Sequence, residues 1–198
     1  MKIYLFTVLL LSTIVSCKNE EKRTNEERTS SKISEENISD YKVKGDSIVA
    51  NTFDTLRNTL LNAVKEKGFE GAVEFCNTSA FSLTNTFAVN NITIERTSDK
   101  LRNPANAPDS TEQRILSQFI KMAGSSDKPA AVVERDGSGN IHYYKPILMQ
   151  AMCLNCHGNK EQVQPATLAM IKSKYPDDLA IGYKEGDLRG MWHVTFRP

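Results

Sequence analysis

The sequence predicts one α+β domain, with helices set beside an antiparallel sheet of four or five strands. Three observations predict it. Apolar residues recur at spacings of three and four over residues 48–64 and again over 110–123, which is the helical period. Two short strand-like runs flank Asp136-Gly137-Ser138-Gly139, a hairpin signal. The closing stretch alternates, with Trp192, Val194 and Phe196 on one side and Met191, His193 and Thr195 on the other, as a half-buried strand does. The chain has 198 residues, 39% of them hydrophobic. That suffices for one compact domain after a leader is set aside, and not for two.

The leader comes first. Met1-Lys2 is a short basic start, and residues 3–15 form an apolar run broken only by Thr7, Ser12 and Thr13. A transmembrane helix needs roughly 20 apolar residues, so the run fits a secretory signal better. It ends in Ile14-Val15-Ser16-Cys17, which resembles the lipobox of bacterial lipoproteins. Cleavage is therefore expected after Ser16, with lipidation of Cys17 and attachment to a membrane in the cell envelope. Residues 18–44 are rich in Glu, Lys, Arg, Ser and Thr and hold almost no large apolar residue. They cannot bury a core, and the expectation is a disordered tether over 17–44, with the folded domain spanning 45–198.

Within that domain, Ile48, Val49, Phe53, Leu56, Leu60, Leu61 and Val64 predict a helix that Gly68 stops. A second helix is expected from Glu70, with Ala72, Cys76, Ala80 and Leu83 on one face, so that Cys76 points inward. Residues 91–98, containing Ile92, Ile94 and Arg96, form a β-rich stretch, and 100–109 a loop. Ser110 is expected to cap a helix to about Ala123, with Gln113 as its capping-box partner. Strands are expected over 130–135 and 140–147. Pro165 opens a further helix, and Pro176 lies just past its end.

Lys and Arg number 25 against 24 Asp and Glu, a formal net charge of +1. With no block of like charge, nothing favours a nucleic-acid partner.

The chemistry is concentrated in Cys153-Leu154-Asn155-Cys156-His157, the C-x-x-C-H pattern of covalent haem c attachment. Two thiols three residues apart can add across the two vinyl groups of one porphyrin, each S–H proton passing to carbon. The adjacent histidine then lies where its imidazole can bind iron, and Gly158 would let the backbone pass close to the macrocycle. Two other uses of such a pair compete. A thioredoxin-like dithiol would carry an intervening proline after a βαβ strand. A structural zinc site would need four ligands, which Cys76 could complete as Cys3His. An export signal agrees with haem, because c-type attachment takes place outside the cytoplasm. For the second axial position Cys76, His142, His193, Met149, Met152 and Met170 are all available. Cys76 leads them because it is the unpaired cysteine of an exported chain and faces inward.

The motifs then add up to a resemblance. Ala72-Val73-Glu74-Phe75-Cys76, Arg102-Asn103-Pro104-Ala105-Asn106, the C-x-x-C-H segment with Gly158, Tyr175-Pro176-Asp177-Asp178, Gly182-Tyr183 and Gly186-Asp187-Leu188-Arg189-Gly190 follow in order. Together they resemble the PAS-like c-type haem family, long known only as a domain of unknown function. Its members occur alone in exported proteins and as sensor regions of bacterial histidine kinases and chemotaxis receptors. The resemblance covers about residues 45–198. It implies a PAS-like antiparallel sheet flanked by helices, one covalent haem, and His157/Cys76 axial ligation, with the iron at low potential. Arg102 and Arg189 would either pair with the haem propionates or stabilise loops.

Electron transfer through a redox partner is therefore the leading expectation, and a redox or small-gas sensor acting through a signalling partner is the alternative. An enzyme such as a peroxidase ranks lowest, because it needs an open iron position beside an acid–base residue.

Overall fold

The computed structural model describes residues 17–80, 84, 88, 90–125 and 128–198, with side chains from residue 38. The signal peptide expected over 1–16 lies outside the described residues. Two compact units are separated by their contacts, Met1–Asn37 and Ile38–Pro198. In the first, the described residues 17–37 are helical. This differs from the disordered tether expected over 17–44. The composition forbids a core, yet Glu, Lys and Arg are good helix formers. Among the described residues no helix is long and apolar enough to cross a membrane.

The second unit begins seven residues before the expected Gly45, at Ile38. The reason is Tyr41, whose ring packs on Phe196 with centroids 5.0 Å apart. The first helix, α1, is assigned over Cys17–Thr78 and broken at Gly68, where φ is 68°. Glycine reaches that left-handed region without steric cost, so the expected stop and restart is a one-residue break.

Four strands follow among the described residues: β1 (Ile92–Thr97), β2 (Val132–Arg135), β3 (Ile141–Leu148) and β4 (Leu188–Phe196). They form one antiparallel sheet in the order β1-β4-β3-β2. Helix α2 (Ser110–Ala123) lies between β1 and β2 in sequence, and α3 (Leu154–His157) and α4 (Pro165–Lys174) between β3 and β4. The helix-flanked antiparallel sheet is the PAS-like α+β fold that the sequence implied.

Strand alternation sorts the two faces. Ile94, Ile141, Tyr143, Trp192, Val194 and Phe196 form a core with Val49 of α1, against which Ile48, Phe53 and Leu56 also pack. Asp46 of α1 accepts a 2.6 Å hydrogen bond from the Tyr143 hydroxyl and also pairs with Lys145. A Cβ at Gly45 would collide with the Tyr143 ring, so the helix approaches the sheet as closely as it does because residue 45 has no side chain. On the other face Tyr144 and Met191 pack with Ile115, Leu116 and Phe119 of α2.

The capping box of α2 sits one residue earlier than expected. Asp109 is the N-cap, its Oδ1 accepting from the Glu112 amide at 2.7 Å, while Glu112 Oε2 accepts from the Asp109 amide at 3.0 Å. Both partners are carboxylates, which suit the positive end of a helix better than Ser110 and Gln113.

Candidate functional site

Only the first half of the α1 apolar stripe meets the sheet. Leu60, Leu61 and Val64 instead wall a cavity of about 320 Å³, together with Phe69, Ala72 and Val73. That volume falls at the lower end of small-molecule and cofactor sites. Leu61 remains 37% exposed. An apolar stripe that leaves such a gap calls for an apolar ligand to fill it.

The opposite wall carries the motif. Cys153 ends a 3-10 turn (Ala151–Cys153), and α3 then presents Asn155, Cys156 and His157. Cys76, Cys153, Cys156 and His157 all line the cavity. Burial pushes the Cys156 thiol up to about 11, and burial likewise raises Cys76 despite Arg96 and Arg102 nearby. A redox-active dithiol draws on a lowered thiol, and neither Cys156 nor Cys76 is lowered. Zinc fits no better. Among the described residues, the group of three or more metal-ligating side chains whose ligand atoms fall within 4.8 Å is Glu95, Glu112 and His193. Cys76, Cys153, Cys156 and His157 surround a space without converging on a point.

His157 is oriented for metal binding. Its Nδ1–H donates to the Ala180 carbonyl at 2.7 Å, which fixes the tautomer and leaves Nε2 as the lone pair. Burial, with Arg102 and Arg189 adding to it, holds the imidazole well below its usual pKa, so it stays neutral and able to ligate. The Tyr183 ring stands edge-on to it, 6.3 Å between centroids.

Arg102 supports this segment from behind. Its Nε and Nη2 bond Asp178 at 3.1 and 3.0 Å, and Nη2 also reaches the Cys156 carbonyl at 2.7 Å and the Ala180 carbonyl at 3.2 Å. One guanidinium thus ties the motif helix to the carbonyl that orients His157, and its charge is met by a buried aspartate. The loop-stabilising role weighed from sequence is what these contacts describe. Arg189 lines the cavity too, bonding Ser98 Oγ at 2.6 Å and the Lys100 carbonyl at 3.0 Å, with its guanidinium over the Tyr183 ring. Gly158 answers to the protein: a Cβ there would lie 2.6 Å from the Leu154 carbonyl oxygen.

Of the possible sixth ligands, Cys76 and Met152 line the cavity. Met152 belongs to the same strip of wall as His157, whereas Cys76 comes from α1. Met149 is buried with Ala180 and Tyr183, and Met170 packs near Ile171. His142 and His193 lie on the α2 face of the sheet. His142 Nε2 meets Asp136 Oδ2 at 3.2 Å, His142 Nδ1 meets His193 Nε2 at 2.9 Å, and His193 Nδ1 meets Glu112 Oε1 at 2.8 Å. Thr195 Oγ1 contacts both rings.

Two residues went unnamed as site residues in the sequence. Asp178 had no signal beyond its place in the Tyr175–Asp178 motif. Arg96 had one: with Ile92 and Ile94 it falls on the inward side of β1, where alternation calls for an apolar residue.

The residues fit a haem: an apolar slot, two thiols and a neutral imidazole on one wall, a third thiol on the other, and cationic groups in the lining. Comparison with known proteins agrees. The Tll0287-like family model matches residues 20–197. The solved crystal structure of the cyanobacterial heme-protein Tll0287 is similar at a TM-score of 0.57 and 28% identity, covering 78% of this chain and 95% of that one. No curated protein matches. The chain belongs to the Tll0287-like family.

Proposed function

We propose that this chain is an exported, lipid-anchored c-type haem protein acting in electron transfer. One haem is joined through Cys153 and Cys156, with His157 and Cys76 as axial ligands and Arg189 at a propionate. The observation that carries the reading is the His157–Ala180 hydrogen bond on a cavity wall shared with three thiols. The similarity to a heme-protein supports it. Bound haem would supply one-electron chemistry between ferric and ferrous iron. A thiolate ligand stabilises the ferric state and so sets a low potential. With both axial positions filled, substrate has no open site, which is why we read the protein as a carrier that serves a redox partner and not as an enzyme. Cys17 would hold it to the envelope membrane by its acyl chains.

One feature favours a second reading, a redox or small-gas sensor. Cys76 rides on the part of α1 beyond the break at Gly68, separate from the arm packed on the sheet, so a ligand exchange there could be passed to a partner.

Absorption spectra of the purified protein in both oxidation states, with and without CO, decide between the two. Electron transfer predicts a six-coordinate low-spin ferric spectrum and a ferrous form indifferent to CO, while ready CO binding supports the sensor. Cys76→Ala should abolish the thiolate-ligated spectrum; an unchanged spectrum removes Cys76 from the iron. Replacing Cys153 and Cys156 together by Ala should leave no haem stain on a denaturing gel.

A further inference from the structure

One cavity residue has no role in that account. Arg96 lies on β1 opposite Trp192 of β4, and its guanidinium sits over the Trp192 ring, 5.5 Å from the centroid. It lines the cavity. Burial depresses its pKa, so the charge is held in the fold at a cost. Every ion pair among the described residues lies elsewhere, and the Arg96 guanidinium makes no hydrogen bond to any described residue.

The other two cavity arginines differ from it in a useful way. Arg102 has Asp178 as its counter-charge. Arg189 has a hydroxyl, a carbonyl and an aromatic ring, but no carboxylate. Arg189 is close enough to Arg96 for its like charge to lower the Arg96 pKa further. One wall therefore holds two guanidinium groups that form no ion pair with a described carboxylate: Arg96 has none acting on it, and Arg189 feels only Asp178, which is already paired with Arg102. A buried cation without a partner is destabilising unless a ligand brings the opposite charge, and a guanidinium matches a carboxylate in shape as well as sign.

Resting on the haem reading, we propose that Arg96 and Arg189 together hold the two propionate carboxylates of the tetrapyrrole, with Arg96 supplying the second, previously unassigned, anion contact. The site would thus select a porphyrin bearing two free acids, and the haem would be oriented by its acid edge against β1 and the start of β4.

Resonance Raman spectroscopy of the full-length holoprotein tests this, because the propionate bending band reports hydrogen bonding at the carboxylates and separates them from the iron ligands. Arg96→Gln should shift that band while leaving haem covalently attached and the iron–ligand bands in place. Arg96→Lys should shift it less. Haem-free Arg96→Gln should melt no lower than the parent chain, since an unpaired buried charge has been removed. An unmoved propionate band, in either variant, overturns the assignment, as does a lower melting temperature for haem-free Arg96→Gln. Absence of covalent haem from the unmodified protein would instead overturn the haem reading itself.

Discussion

The two faces of the sheet each carry a polar cluster, and they are built on opposite terms. On the α2 face, Asp136, His142, His193 and Glu112 form a chain in which each ring nitrogen has a partner. Asp136 meets His142 Nε2, His142 Nδ1 faces His193 Nε2, and His193 Nδ1 faces Glu112. Tyr144 stacks on His193 with centroids 4.5 Å apart. On the α1 face, by contrast, Arg96 has no carboxylate, His157 Nε2 has no hydrogen bond among the described residues, and three thiols face a gap. A closed network stabilises one conformation through the partners it already holds. An open set of donors and charges is costly alone and balanced by what it binds. The cofactor site is therefore recognisable by its unmet groups, and the histidine-rich cluster, the more conspicuous of the two in composition, belongs to the scaffold.

The comparison can be broken at its hinge, the cavity residue whose charge is met by an ion pair among the described residues. Arg102→Ala leaves Asp178 charged and buried (side-chain exposure 6%), and should cost about 3–5 kcal/mol in urea unfolding. Asp178→Ala should cost a similar amount; a loss below about 1 kcal/mol for both would show that the pair is not buried as described. Next in size, His193→Ala strands Glu112 Oε1, and about 2 kcal/mol should be lost with no change in the haem spectrum. A spectral change would mean that the two faces are coupled. The smallest effect concerns acid. Asp136 is held down to about 2, chiefly by the Asn140 side chain, with His142 also contributing. Its folded pKa lies below the ordinary value of 3.8, so its stabilisation is complete above about pH 4 and fades as pH falls toward 2. Asp136→Asn should flatten that part of the stability profile; an unaltered acid limb would separate Asp136 from the network.

Much of this was legible in the sequence because local patterns produce local structure. The C-x-x-C-H spacing, the Gly68 stop and the alternation through β4 depend on neighbours within a few residues. The odd cysteine pointed to Cys76 by counting alone. Alternation along β1 marked Arg96 as a charge on the inward side, but its meaning depends on the carboxylate missing around it, which is visible only in three dimensions. The histidine chain was hidden for another reason: its members, at 112, 136, 142 and 193, come from three strands or turns and a helix distant in sequence. The start of the folded unit shifted to Ile38 because one aromatic contact, Tyr41 on Phe196, lies ahead of the helical periodicity. The Asp109–Glu112 cap displaced Ser110–Gln113 because side-chain charge weighs in the choice between adjacent frames.

Gly45 has a consequence for anyone who would engineer this protein. A glycine inside a helix is an obvious target, since alanine there ordinarily gains about 1 kcal/mol. Here the added methyl group would meet the Tyr143 ring and wedge α1 away from β3, disturbing the Asp46 contacts made by the next residue along. The residue that looks most improvable is a fixed dimension of the domain, the spacer that sets how far its longest helix stands from its sheet.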